Sequence, residues 1–309
     1  MQPALLTSRA IIGAIYNALT MGDGSYVDRY AMRVSSSQEA ETYGWLGQVP
    51  TMREWIGGRD PKRLRDFTWA ITNKDYEATL EVLVKEMRRD ATGQLRPRSA
   101  ELARRVNSFP AKLMSQKIID GESTACYDGQ YFFDTDHSEG SSGSQDNDRT
   151  SAAATGTTPT VQEMRDAILG AIAAIIGFLD DQGEPMNEDA KVFEVMTPMN
   201  SSNYWQIAKQ ALGATTFGGG ETNILANLDG YTIRLVPNAR LTWTTKFAVF
   251  RTDAQTKPFI LQEEVPLNVS AVAEGSQLEF TDRKHWYGVD WAGNLDYGFW
   301  QHACLHTFT

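Results

Sequence analysis

Two short clusters of side chains in this sequence have the residue types that bind metal ions. The first cluster is Asp134, Asp136 and His137. The second is His302, Cys304 and His306, which alternate and would therefore share one face of a strand. A zinc site needs about four such ligands in a tetrahedral arrangement, and each cluster supplies only three. We therefore expect a hairpin turn at the first cluster, an interface strand at the second, and no metal or cofactor.

Sequence motifs of common enzyme classes are missing from the chain. It contains no G-x-S-x-G elbow, Walker loop, G-x-G-x-x-G or H-E-x-x-H pattern. The glycine run Gly218, Gly219 and Gly220 is not followed by the Lys and Ser/Thr of a phosphate-binding loop. The chain has 4 histidines, and nothing in their spacing supports an acid–base site. No catalytic residue is predicted.

The composition indicates a globular protein with an acidic surface. Of 309 residues, 41% are hydrophobic and 10% aromatic, which is enough for a core in one large or two average domains. The formal charge is −10, whereas a protein that reads nucleic acid usually carries a basic balance. The average surface is therefore expected to repel DNA.

Membrane insertion and a disulfide framework are both unexpected. The longest apolar stretch, 168–179, is interrupted by Gly170 and Gly177 and falls short of the ~20 residues that a spanning helix needs. The first 20 residues lack the features of a secretory segment. Cys126 and Cys304 are therefore expected to be reduced thiols.

The first 44 residues have the pattern of an arm. Thr7 or Ser8 is placed to cap a short amphipathic helix that ends at Gly22 and Gly24, and a second short helix is predicted to end near Tyr43. The first helix packs either on its own domain or on a neighbouring subunit, and the sequence leaves both open.

Residues 45–82 are predicted to form an extended hairpin. Apolar residues alternate up to Ile71, the segment 73–75 turns, and alternation resumes from Tyr76. Because a two-stranded ribbon is marginally stable unless it packs on something, we expect this one to lean on another subunit.

The rest of the chain mixes helices and strands. A helix over 96–119 contains Pro110, which should kink or divide it. A hairpin is predicted over 124–137, an exposed or disordered polar loop over 138–159, and a helix capped by Thr160 and Glu163. Further elements are predicted as a strand at 191–198, a helix at 200–212, a flexible loop at 215–222, strands at 231–237, 246–252 and 258–264, and two or three long strands after 277.

Five segments, in this order, resemble the Mu-like phage major head subunit family. They are WLGQVPTMREWIGGR (45–59) with ITNKDYEATLEV (71–82), CYDGQYFFDTDH (126–137), the helix–strand–helix run 160–212, KPFILQEE (257–264), and YGVDWAGNLDYGFWQ (287–301). The resemblance spans nearly the whole chain and departs from the family pattern at 83–100 and 138–159.

The resemblance implies an α+β chain with the HK-97-type capsid fold of tailed phages. That fold has an N-terminal arm, an extended hairpin loop, a peripheral domain with a long spine helix, and an axial domain. On this sequence the parts would be 1–44 for the arm, 45–82 for the extended loop, 83–160 with 263–309 for the peripheral domain, and 161–262 for the axial domain.

The function that the resemblance implies is that of a shell subunit, not an enzyme. Copies would form hexamers and pentamers of an icosahedral head around double-stranded DNA, with a scaffolding protein, a portal and a decoration protein as further partners. The protein would reside in the virion, and in the host cytoplasm during assembly. The alternatives are a cellular nanocompartment shell on the same fold and a phage-encoded metal-dependent hydrolase.

Candidate interface residues follow from residue type on the extended segment, because Arg and aromatic side chains are favoured at interface hot spots. They are Trp45, Arg53, Glu54, Trp55, Arg59, Arg63, Trp69 and Tyr76. The alternative is a hairpin that packs on its own domain, with the basic run 59–65 as a solvated face. The loop at Gly218, Gly219 and Gly220 is expected near the capsomer axis.

Overall fold

A computed structural model describes residues 7–20, 26–44, 69–89, 94–155, 157–199, 203–217, 220–228 and 230–309. The helices within these ranges are α1 Ser8–Thr20, α2 Val84–Arg89, α3 Leu95–Asn107, α4 Phe109–Asp120, α5 Val161–Gly177, α6 Tyr204–Gly213 and α7 Gln277–Asp282. The strands are β1 Ala31–Ser35, β2 Ala40–Thr42, β3 Ala70–Thr72, β4 Lys74–Leu83, β5 Asp148–Ser151, β6 Val192–Pro198, β7 Thr232–Asn238, β8 Lys246–Arg251, β9 Phe259–Val272, β10 Lys284–Tyr297 and β11 Ala303–Phe308.

The first sheet is built around a long antiparallel pair. Its order is β1-β9-β10-β4, with β1 parallel to β9 and the other pairs antiparallel. The register between β9 and β10 shifts on either side of Ala292, which marks an irregularity in the ladder. The first four residues of β9 are buried, but most of the strand from Glu264 onward is exposed. The far half of this pair therefore extends beyond the main core as a ribbon, with one face packed on a second, smaller core that includes Tyr287 and Val289.

The second sheet carries most of the main core. Its order is β5-β11-β8-β6-β7, and its three inner strands are buried at nearly every residue. Such strands are apolar runs rather than alternating ones, because both faces are covered. Helix α5 packs on β8 and β11, and α6 packs on β6 and β7.

Two helix predictions are confirmed in detail. The predicted helix over 96–119 is divided at Ser108 into α3 and α4. Pro110 is the second residue of α4, where a backbone N–H would make no hydrogen bond within the helix, so the proline is tolerated there. Helix α5 begins with a capping box in which Thr160 Oγ1 accepts from the Glu163 N–H and the Glu163 carboxylate accepts from the Thr160 N–H.

Within its described residues, 7–20 and 26–44, the arm packs on its own chain and contains one α-helix where two were predicted. Ile11 and Ile15 of α1 are fully buried in a second, smaller core with residues of α3, β4 and β10. Of the two possibilities left open by the sequence, the first helix therefore packs on its own chain. The predicted second helix, which would follow Ser37 and end near Tyr43, is wrong, because β2 occupies that region. Pairing of β2 with β3 outweighs local helix preference.

The predicted hairpin of the extended segment is also wrong where the structure describes it. Strand β3 pairs with β2, whereas β4 pairs with β10, so the two strands belong to different sheets. Only Asn73 separates them, and its backbone N–H donates to Glu39 O. The chain therefore passes from one sheet to the other without reversing.

The polar segment 138–159 is more ordered than expected. It contains β5, and Glu139, Ser142, Gln145 and Asn147 are buried. Side-chain hydrogen bonds replace an apolar core here, since Gln145 donates to Leu179 O and accepts from Leu179 N. The preceding segment 124–137 turns at Gly129, which has a φ of 91°, but only one isolated bridge between Ala125 and Tyr131 forms in place of hairpin strands.

Asp148, at the start of the edge strand β5, gives a pH-dependent prediction. Its buried Oδ1 has no hydrogen-bond partner among the described residues, and burial together with the nearby Glu122 raises its pKa to about 6. The folded state thus binds the proton more tightly than the unfolded state, whose pKa is about 3.9. Stability should fall as pH rises from about 4 to about 6 and stay lower above that.

The variant Asp148→Asn should remove this penalty. After discounting for partial exposure, we expect its free energy of unfolding to exceed that of the unmodified chain by about 1 to 2 kcal/mol at pH 7.5 and to match it near pH 4. Urea unfolding at the two pH values measures the difference, with the exposed Asp136→Asn as control. An equal difference at both pH values would contradict the assignment.

None of the helices in the described ranges is both long and apolar enough to cross a bilayer.

Candidate functional site

Three of the segments singled out in the sequence meet at one buried place. Phe132 stacks on Tyr297 with ring centroids 4.6 Å apart and on Phe259 at 5.3 Å. His137 stacks on Trp300 at 3.9 Å with the rings nearly parallel. These five side chains, here called the motif junction, come from 126–137, 257–264 and 287–301. The junction joins the base of the long β9–β10 pair to the second sheet.

A polar network completes the junction around His137. Its Nδ1 lies 2.7 Å from Asp128 Oδ2, and the Cys126 thiol donates to Asp128 Oδ1 at 3.0 Å. The imidazole and the Asp128 carboxylate are 0% and 1% exposed, so this pair is out of contact with water. Burial raises the pKa of Asp128, but the hydrogen bonds from His137, Cys126 and the Gln130 N–H, together with the charge of His137, outweigh burial and lower that pKa.

Asn147 holds the other side of the His137 ring. Its Nδ2 donates to Phe132 O at 2.9 Å and to Ala303 O at 3.3 Å, which fixes the orientation of the amide. Its Oδ1 accepts from the Asp134 N–H and lies 3.2 Å from His137 Nε2. His137 Nε2 must therefore carry a proton and donate it.

A buried carboxylate lies beside this network. Glu139 is 7% exposed, and its Oε1 accepts from Trp300 Nε1. Burial raises the pKa of Glu139 to about 7. Tyr127 and Gln301 hydrogen bond to each other nearby, which ties the turn to the segment after β10. Sequence patterns could not reveal this cluster, because its members are far apart along the chain.

The two metal clusters considered from sequence do not assemble among the described residues. Asp136 is exposed, and the Asp134 carboxylate accepts from backbone N–H groups instead of facing His137. His302 lies in a 3-10 turn before β11, where its Nδ1 lies 2.8 Å from Asn187 Oδ1. His306 bonds to Ser151, and the Cys304 thiol donates to Leu305 O. His302, His306 and Cys304 each have a separate partner.

The predicted interface residues fall partly outside the described residues. Those outside are Trp45, Arg53, Glu54, Trp55, Arg59, Arg63, Gly218 and Gly219. Trp69 is half-buried against the main core, and Tyr76 stacks on Trp291 at 5.5 Å. Gly220 has a φ of 82° and donates its N–H to Phe217 O in a tight turn. The roles of these residues between subunits stay predictions.

A cleft beside Tyr76 was not anticipated from sequence. It has a volume of about 460 Å³ and an aromatic floor made by Tyr76, Phe109 and Trp291. Basic side chains on its rim are Arg33, Arg105, Lys112 and Arg240. It lies where α3 gives way to α4, so the division at Ser108 forms one wall.

The projecting ribbon carries exposed apolar side chains. They are Val265, Leu267, Val272, Phe280 and Trp286. Phe280, on α7 at the tip, is 89% exposed. Several exposed apolar side chains on one projecting element suit it to contact another protein surface. Only the tertiary structure reveals the set, because the same residues in β9 and β10 could equally have faced a core.

A family model described as "Mu-like prophage major head subunit gpT" matches residues 9–163 and 229–307, well over half of the chain. The matched residues include the whole motif junction. The chain belongs to this family. The family is one of structural head subunits, which excludes the hydrolase alternative, and the resemblance noted from the sequence is confirmed.

Relatives of this head subunit support the same assignment. The chain is 36% identical over 113 residues to the "Major capsid protein" of Escherichia phage Mu, and the match spans 37% of each protein. Among solved structures, the procapsid of bacteriophage JBD30 aligns with 99% of this chain and 76% of its own, at 24% identity and a TM-score of 0.55. The mature capsid of bacteriophage PhiM1 aligns with 93% of this chain and 88% of its own, at 12% identity and a TM-score of 0.56. The expected α+β, HK-97-type capsid fold is confirmed.

Proposed function

We propose that this chain is the major capsid subunit of a Mu-like tailed phage and that its copies assemble into an icosahedral shell. The observation that carries the proposal is the family match over most of the chain, which includes the motif junction. That junction joins the base of a projecting ribbon to the second sheet. In such a subunit the core would stay rigid while the ribbon contacts neighbouring subunits.

Self-assembly through hexamers and pentamers is the specific arrangement we propose. A closed shell needs more contact area per subunit than the ~1,600 Å² of a standard complex, and projecting segments supply it by lying across neighbours. Support comes from the exposed apolar side chains of the ribbon. The proposed interface residues on the extended segment, including Trp69 and Tyr76, would add to this area.

The domain limits deduced from sequence remain our proposal, with 83–160 and 263–309 as peripheral and 161–262 as axial. Strands β5 and β11 lie in the same sheet as β6, β7 and β8. Under this division, the second sheet would be shared between the two domains. The turn at Gly220 would then lie toward the capsomer axis.

The further partners we propose are a scaffolding protein, a portal, a decoration protein and enclosed double-stranded DNA. The net charge of −10 supports a shell that encloses DNA without binding it tightly, because an acidic inner surface repels phosphate groups. Any residual contact would be screened within about 8 Å at physiological salt. The virion, and the host cytoplasm during assembly, are the proposed locations.

Assembly is tested by light scattering and negative-stain electron microscopy of the purified chain, alone and with its scaffolding protein. We expect capsomer rings or closed shells. The variant Phe280→Asp should lower the assembled fraction at least about tenfold, because a charge cannot be buried unpaired in an apolar contact. Phe280→Leu is the matched control and should assemble. A monodisperse monomer under every condition would contradict the proposal.

A further inference from the structure

A trio of metal-binding side chains that shares only His137 with the clusters considered from sequence converges inside the turn of the motif junction. Cys126, Asp128 and His137 each offer one ligand atom, and these atoms all lie within 4.8 Å of one another. Ligand atoms around a tetrahedral Zn²⁺ are about 3.3 to 3.8 Å apart, given bond lengths of about 2.0 to 2.3 Å. The trio therefore needs only small side-chain movements to surround an ion.

The donor set favours one class of metal. Thiolate, imidazole and carboxylate together are the ligands of zinc and similar borderline-soft divalent ions, whereas Mg²⁺ and Ca²⁺ select oxygen alone. The thiolate of Cys126 and the carboxylate of Asp128 would balance the two positive charges. Glu139 is close enough to interact electrostatically with both side chains, and it adds to the negative field.

The orientation of His137 is a second, independent observation. Its Nε2 donates to Asn147 Oδ1, and the Asn147 amide is itself held by two backbone carbonyls. Stacking on Trp300 fixes the plane of the ring. Metal-binding histidines characteristically donate their second ring N–H to such a partner, which aims the other nitrogen at the ion. Here the aimed nitrogen is Nδ1, which faces Asp128 and lies beside Cys126.

We propose that Cys126, Asp128 and His137 bind one Zn²⁺ ion, which clamps the 126–137 turn onto the motif junction. Binding forms bonds to Cys126 Sγ, an Asp128 oxygen and His137 Nδ1, and it releases the thiol proton and the proton on Nδ1. The fourth position is taken by one water molecule that enters with the ion. The ion replaces the two hydrogen bonds that now converge on Asp128. This site does not depend on the proposed shell function.

The test uses the full chain, stripped with a chelator and then titrated with Co²⁺ as a spectroscopic substitute for Zn²⁺. We expect a thiolate-to-cobalt charge-transfer band in the near ultraviolet that saturates at one equivalent and disappears when Zn²⁺ is added. Elemental analysis after dialysis should find one zinc per chain. Absence of the band in the unmodified chain would overturn the proposal and leave the trio as a hydrogen-bonded network.

Two cysteine variants locate the site. Cys126→Ser should abolish the band and weaken zinc binding by about 100-fold or more, whereas Cys304→Ser should change neither. Cys304 is the matched control, because it is equally buried and its thiol donates to Leu305 O. Asp128→Asn provides a second variant should Cys126→Ser fail to fold. A band lost on Cys304→Ser and kept in Cys126→Ser would also overturn the assignment.

Discussion

Replacing Trp300 by alanine should lower the free energy of unfolding by about 3 to 5 kcal/mol. The side chain is fully buried, stacks on His137 and meets Phe178 edge-on at 5.2 Å. Its loss would leave a cavity where the segments of the motif junction meet. It would also remove the indole N–H that Glu139 accepts, so a buried carboxylate would lose a donor.

Urea unfolding of the unassembled chain, followed by circular dichroism, measures this loss as a shift in midpoint at an unchanged slope. Trp205→Ala is the matched control, because Trp205 is 39% exposed on α6. Its effect should stay within about 0.5 kcal/mol. A loss below about 1 kcal/mol for Trp300→Ala would show that the junction does not hold the segments together.

Replacing Glu194 by alanine should cost about 2 to 4 kcal/mol of stability. The carboxylate is 0% exposed in the middle of β6, where it accepts from the Tyr30 hydroxyl and from Arg29 Nη1 at 2.8 Å. Tyr30 is also fully buried, so its hydroxyl would be left without an acceptor. Because Tyr30 immediately precedes β1, this contact joins the first sheet to the second.

The exposed ion pair between Arg33 and Asp28 provides the comparison for Glu194. Both side chains are nearly half exposed, at 49% and 45%. Asp28→Ala should therefore change stability by less than about 1 kcal/mol in the same unfolding experiment. Similar losses for Asp28→Ala and Glu194→Ala would show that burial of Glu194 contributes nothing. Tyr30→Phe should recover part of the Glu194→Ala loss when the two are combined, since it removes the unpaired hydroxyl.

Local signals in the sequence were sufficient for helices α1, α3, α4, α5 and α6 and for strands β6, β7 and β8. Helix α5 was predicted from a capping box and an apolar face, and Pro110 predicted the division between α3 and α4. Strands β6, β7 and β8 were readable as apolar runs bounded by turns. Each of these features depends on residues within a few positions of one another, so no distant contact is needed to interpret them.

Pairing between distant strands could not be read from the same sequence. The segment before Tyr43 has a polar, helix-compatible composition, but β2 forms there because β3 lies beside it. Strands β3 and β4 have the alternation of a hairpin, but each finds its partner in a different sheet. The alternation of apolar and polar residues shows which side chains share a face of a strand, but it does not show which strands pair with each other.

For the candidate site, the sequence alone determined the family resemblance and the segments that carry it. It named His137 as a possible metal ligand, but grouped it with its neighbours Asp134 and Asp136. Only the tertiary structure decided that the partners of His137 are Asp128, Cys126, Asn147 and Trp300. The physical reason is that a buried polar side chain must find partners wherever the packed chain places them, and packing brings together residues that sequence spacing keeps apart.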